Sequence, residues 1–180
     1  MKKTVWRYLC CLIMVGFLVF VDQFTKVLAV ENLKGNSEYK WIPGLLSFRY
    51  LENQGAAWGM LFGKQVLLTI VTILAMGVIV YVYIRSEYIY RERLISKGKI
   101  ISLQIVLAVL FAGAMGNLID RVKQQYVVDF LYVKFIDFPI FNIADCYVTM
   151  AVIALLFLII FIFNEEDLLK FKRNGSSDIK

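Results

Sequence analysis

Asp22 and Lys26, Asn117 with Asp120 and Arg121, Asp129, and Asn142 with Asp145 are polar residues set in or beside highly apolar stretches. Carboxylates in such places can run acid–base hydrolysis, one acid holding a proton while another activates water. Asp129 sits within Val127-Val128-Asp129-Phe130-Leu131, where apolar neighbours should resist its ionisation and raise its pKa. Asp145 follows Asn142 by three positions, where a helix start favours an anion. Such a dyad titrates as a unit, so the spacing does not assign the proton to either acid.

Each element also has a plainer reading. Asn142 with Asp145 is the ordinary pattern of a helix cap, and Asp129 alone is a polar loop residue. Asp22 and Lys26, four apart in acid-before-base order, form a structural ion pair as readily as a substrate contact. Arg121 suits a fork donor or a headgroup ligand, and Asp120 a salt bridge to its neighbours.

The chain contains no histidine, which excludes a Ser-His-Asp triad, HExxH metal chemistry and a histidine base. Cys10, Cys11 and Cys146 have no CxxC spacing, so neither a disulfide framework nor a zinc site is expected. No cofactor is expected.

These residues need elements to place them. Of 180 residues, 60% are hydrophobic and the mean hydropathy is +0.69, which points to a membrane protein. Spanning helices are expected at about 8–30, 66–84, 100–118 and 140–163. They form an all-α, four-helix unit over residues 1–164, with 165–180 as a tail that is disordered after Asn174. Lys2 and Lys3 precede the first apolar run as in a secretory signal, but no A-x-A site follows, so that helix is expected to be retained.

The net charge of +6 is spread in patches between the apolar runs, and no nucleic-acid partner is expected. Twelve Lys and Arg residues fall in the N-terminal flank, the second loop and the tail, against seven in the first and third loops. Both termini are therefore expected in the cytoplasm, with the first and third loops outside. That orientation carries Asp22, Lys26, Asn117, Asp120, Arg121, Asp129, Asn142 and Asp145 to one depth on the outer face. The inner halves of the helices look dry. Residues 39–58, with Trp41, Phe48, Tyr50 and Trp58, read as an interfacial segment. Pro43-Gly44 supplies a turn before an extended ribbon from Ser47 to Leu51, so a small extracytoplasmic β-cradle is expected between helices one and two.

Five stretches, taken in order, resemble the motifs of lipoprotein signal peptidase, also called signal peptidase II. They are Asp22-Gln23-Phe24-Thr25-Lys26, Asn53-Gln54-Gly55-Ala56-Ala57-Trp58-Gly59, Gly116-Asn117-Leu118-Ile119-Asp120-Arg121, Val127-Val128-Asp129-Phe130 and Phe141-Asn142-Ile143-Ala144-Asp145. The resemblance implies an aspartyl endopeptidase of the bacterial cytoplasmic membrane, with its active site at the outer face. It would remove signal peptides from diacylglyceryl-modified prolipoproteins, cutting before the lipidated cysteine. Asp129 and Asp145 would be the catalytic pair. Asp22, Lys26, Asn53, Gly55, Asn117, Asp120, Arg121, Asn142 and Ala144 would bind substrate or brace the pocket. The resemblance further implies inhibition by globomycin and contact with membrane lipids; a monomer is expected.

Two other classes compete. A small ion or proton-coupled transporter would use Asp22, Lys26, Asp120 and Asp145 as a relay, but a relay needs polar residues at both faces. A lipid phosphatase or acyltransferase usually needs histidine, a metal or several arginines.

Overall fold

The computed structural model describes residues 2–55 and 63–172, with side chains from Val5 onward. Four helices are long and apolar enough to cross a membrane. They are α1 (Lys2–Leu33), α2 (Gln65–Arg91), α3 (Lys97–Gln124) and α4 (Ile143–Phe157), the last prolonged by a π turn at Leu158–Ile162. A fifth helix, α5 (Glu165–Lys172), follows.

Burial makes α3 the central pole. Half of its most apolar window (50%) is buried, against 6% for α1 and 11% each for α2 and α4. The outward faces of those three carry Phe17, Phe20, Leu74, Tyr81, Ile153 and Ile160, all largely exposed. A bilayer rather than water must cover such a surface. Tight packing against α3 rests on small residues: a Cβ at Gly113 would lie 2.7 Å from the Ala144 carbonyl oxygen.

The helices outrun the apolar windows read from sequence. α2 continues to Arg91, and α3 runs from Lys97 to Gln124, because their terminal turns are polar and a hydropathy window trims them. α4 starts later, at Ile143. Phe141 is held in an extended bridge to Leu131, and Asn142 then caps the helix.

The extended ribbon is present, with an added strand. β1 (Tyr39–Ile42) turns through Gly44, at φ +78°, into β2 (Leu46–Asn53). β3 (Val127–Val133), between α3 and α4, pairs antiparallel with β2 and completes a three-stranded sheet. The cradle is thus shared between two loops, and Asp129 is a strand residue opposite Leu51. Its β-branched and aromatic composition suits a strand. Phe48 stacks on both Trp41 and Phe130, while Tyr39 and Trp41 remain exposed. Trp58, with Ala56, Ala57 and Gly59, lies outside the described residues, as does the stretch after Asn174 expected to be disordered.

The inner half of the bundle is not dry, contrary to the sequence expectation. Arg7 of α1 pairs with Glu87 of α2 at 3.2 Å and also bonds the Gln104 carbonyl oxygen. The Gln104 amide donates to Ser86 at 2.9 Å and to Glu87 at 3.2 Å. These residues bond mainly to one another, and every α3 residue from Ile105 to Gly116 is apolar or glycine. That gap is about 20 Å of helix at 1.5 Å per residue, too long for a hydrogen-bonded relay. The polar network clamps three helices together and does not revive the transport reading.

Candidate active site

The end of α1, the start of α2, the end of α3 and the start of α4 share one end of the bundle with the sheet. Lys26 is the hub of this end. Its ammonium lies 2.9 Å from Asp22, 3.0 Å from Asp120 and 2.9 Å from the Asn117 side-chain oxygen, all four residues being buried. The expected Asp22–Lys26 pair is therefore real, but Asp120 faces Lys26 rather than Arg121. Adjacent residues on a helix point about 100° apart, so Asp120 can turn to α1 while Arg121 turns elsewhere.

Gln23 ties the same end of α1 to α3. Its amide donates to Asp120 at 3.0 Å, to the Gly116 carbonyl at 3.1 Å and to Asp22 at 3.2 Å. Asp22 in turn accepts from the Ala144 backbone N–H at 2.9 Å, and Asp120 from the Val128 N–H at 3.2 Å. The ion pairs thus fix α4 and β3 as well as their own helices. Gln23, Gly113 and Gly116 (where an added Cβ would collide with the Asp22 carboxylate) are the supporting residues that spacing arguments passed over. Both Gln23 and Gly116 stood inside the quoted motif stretches.

A chain of amides links the hub to Asp129 and Asp145. Asn117 donates to the Asp145 carboxylate at 2.8 Å while its oxygen takes Lys26. Asn142 donates to Asp129 at 2.6 Å and to Asn117 at 3.1 Å. Asn142 also forms a capping box: its oxygen accepts from the Asp145 N–H at 2.9 Å, and its own N–H donates to Asp145 at 3.1 Å. Cap and carboxylate holder are one residue. On the sheet side, Asn53 donates to the second oxygen of Asp129 at 2.7 Å, and the Gly55 N–H donates back to Asn53 at 2.9 Å.

Asp129 is 1% exposed. Burial, and after it the nearby Asp145 charge, push its pKa up to about 7 against the pull of the Asn53 and Asn142 hydrogen bonds. An acid in this state is half-protonated at neutral pH.

Asp129 and Asp145 line one cavity of about 870 Å³ under the end of β2, together with Asn53, Gly55, Phe141 and Cys146. A groove of about 760 Å³ runs down between α2, α3 and α4, with Leu103, Leu107, Leu110 and Ala114 along its α3 wall. The two spaces meet at Asn117, Arg121 and Asp145, which line both. The Arg121 Nε is buried there without a hydrogen-bond partner among the described residues, attracted by the charges of Asp145, Asp129 and Asp120.

A family model described as Signal peptidase (SPase) II matches residues 14–162. A lipoprotein signal peptidase of Enterococcus faecalis is 37% identical over 162 residues, 90% of this chain and 92% of that protein. One of Latilactobacillus sakei is 43% identical over 145 residues, covering 78% and 87%. A solved structure described as a bacterial membrane enzyme, determined at 1.9 Å by the in meso method, superposes with a TM-score of 0.69 at 34% identity, covering 86% of this chain and 94% of that one. With four apolar spans, a small antiparallel sheet and this family match, the chain belongs to the signal peptidase II family and is a multi-pass membrane peptidase.

Proposed function

We propose that this peptidase acts on diacylglyceryl-modified prolipoproteins, cutting just before the lipidated cysteine with Asp129 and Asp145 as a one-proton pair. The observation that carries this reading is the double grip of Asn142, whose side chain holds Asp129 while its backbone holds Asp145 at the wall of one cavity. Asp129, with its raised pKa, keeps the proton and donates it toward the scissile carbonyl oxygen. Asp145 takes a proton from water as the water oxygen attacks the carbonyl carbon. Collapse of the tetrahedral adduct breaks the C–N bond: the proton on Asp145 passes to the leaving amine, and one adduct hydroxyl returns its proton to Asp129 as the carboxyl C=O forms.

Lys26, Asp22, Asp120 and Asn117 brace the pair, and Arg121 lies where it can bind a substrate carbonyl or ester oxygen. The groove below suits the apolar part of the signal peptide, and the exposed aromatics of the sheet suit lipid headgroups. The excess of basic residues at the opposite end supports the reading that this end is cytoplasmic and the site lies at the outer face of the cytoplasmic membrane. Globomycin is expected to block the cavity, and a monomer is expected.

The test is cleavage of a lipidated precursor by the purified protein, followed by mass analysis of both products. A mature product beginning at the lipidated cysteine supports the reading. Cleavage elsewhere, or equal cleavage of the unlipidated precursor, overturns it.

A further inference from the structure

α5 lies beyond the family match, which ends at residue 162, yet it is built into the groove. The π turn at Leu158–Ile162 ends α4, and Phe163 takes an extended backbone that redirects the chain. Asn164 then caps α5, its side chain accepting from the Asp167 N–H at 2.8 Å. Asp167 pairs with Lys99 of α3 at 2.6 Å, and Arg85 of α2 donates to the Lys170 carbonyl at 2.9 Å. Buried Phe163 packs edge-on to Phe171. An eight-residue helix is marginal by itself, so these three ties are what hold it in place. Held there, α5 puts Leu168 and Phe171 into the wall of the groove at the end away from the aspartates.

The α3 lining of the groove runs from Leu103 to Arg121, about 27 Å of helix, and accommodates a helical apolar segment of about 18 residues. The apolar region of a secretory signal is about 7–15 residues. Its far end meets the site at Asn117 and Asp145, so its near end reaches toward α5.

We propose that α5 is a stop: Leu168 and Phe171 close the cytoplasmic end of the groove and set the longest apolar segment a signal peptide can seat while its scissile bond reaches Asp129 and Asp145. This rests on the reading that the groove seats the signal peptide of a prolipoprotein. A longer segment has to push an apolar turn past α5 into water, and that penalty appears in kcat/KM.

The experiment uses the full chain and lipidated precursors whose apolar segment grows one leucine at a time. Wild type should cleave the short precursors alike, then lose about tenfold or more in kcat/KM for each leucine added beyond the break. The double variant Leu168→Ala/Phe171→Ala should move the break to longer segments, and Leu168→Trp to shorter ones. Each variant is normalised to its own rate on the shortest precursor, so the position of the break and not the absolute rate is the readout, and thermal unfolding confirms that each is folded. The opposite shifts guard against a general loss of folding, which would move both variants the same way. A break unmoved in both folded variants, or no break at any length, overturns the stop. A break that follows the acyl-chain length of the surrounding lipid assigns the groove to lipid and overturns it too. Failure of wild type to cleave even the shortest lipidated precursor overturns the reading of the substrate itself.

Discussion

Asn142 and Asp145 hold each other twice, side chain to backbone in both directions, and the amide of that same Asn142 reaches Asp129. A helix cap therefore fixes the distance and orientation between two carboxylates on different elements. Asn142→Ala removes the cap, which costs about 1 kcal/mol of stability. It also frees both acids, and loss of one positioned donor in an active site typically costs about 100-fold or more in kcat. Single-turnover cleavage should thus fall far more than thermal unfolding does. Equal, modest losses in both would reduce Asn142 to a cap.

The aspartates should divide into two groups. Asparagine at 129 or 145 keeps the shape but neither ionises nor exchanges a proton, so each variant should fold, bind precursor and fail to cleave it. Asp22 and Asp120 act through buried Lys26, and losing one partner of a buried pair costs roughly 3–5 kcal/mol. Asp22→Asn and Asp120→Asn should therefore lower the unfolding temperature in detergent before they alter chemistry. A stable but dead Asp120→Asn beside an active Asp129→Asn would reassign the pair to Asp120 and Asp145.

Asp129 should also set a pH limb. Its pKa stands at about 7 in the folded protein, above an ordinary 3.8. The protonated form is lost as pH rises through about 7, so kcat/KM should fall on the alkaline side. Stability follows the same sign: between pH 3.8 and about 7 the folded state holds a proton that the unfolded chain releases, so the contribution declines as pH rises. Asp129→Asn should flatten that slope. A pH–rate profile that stays level through pH 8 would remove the proton from Asp129.

Much of this was legible in the linear pattern, and the exceptions have physical causes. Four apolar runs fixed the helices, and the shared depth of Asp22, Asp120 and Asp145 located the site end. The pairing of Asp120 with Lys26 depends on the rotational phase of α1 against α3, which spacing within α3 does not encode. β3 is hidden because Val127 to Leu131 reads as apolar surroundings for one acid in a loop rather than as part of a strand. Gln104 is a lone uncharged residue in an apolar run, and Ser86 and Glu87 lie just past the end of the second apolar window at 84, so the inner network leaves little trace. α5 was folded into a tail because its charges outweigh Leu168 and Phe171, whose role depends on a groove made by three other helices.

Glycines offer a test of the packing that places the hub. Gly→Ala in an exposed helix gains up to about 1 kcal/mol of helix propensity. At Gly77 of α2 a Cβ meets nothing within 4 Å, so Gly77→Ala should be neutral or stabilising. At Gly116 a Cβ would collide with the Asp22 carboxylate, and overpacking typically costs about 1–3 kcal/mol. Gly116→Ala should lower the unfolding temperature and weaken cleavage, because Asp22 cannot move without losing Lys26 and the Ala144 N–H. Equal behaviour of the two variants would mean that α1 and α3 are not in close contact here.

The orientation that puts the site outside is testable in a cysteine-free background, and that background is itself a prediction. Cys146 lines the cavity beside Asp145, which invites a thiol mechanism. Yet no histidine exists to draw off its proton, and the neighbouring carboxylate disfavours a thiolate. Cys10→Ser, Cys11→Ser and Cys146→Ser together should therefore leave most of the activity, and chelators should leave it unchanged. Single cysteines are then placed at Ser37, between α1 and β1, and at Ser96, the residue before α3. With seven basic residues on one side and twelve on the other, Ser37→Cys should label with an impermeant thiol reagent in intact cells and Ser96→Cys only after lysis. Labelling of Ser96→Cys from outside would invert the chain. The aspartates would then face the cytoplasm, and the proposed site of cleavage would fall with the orientation.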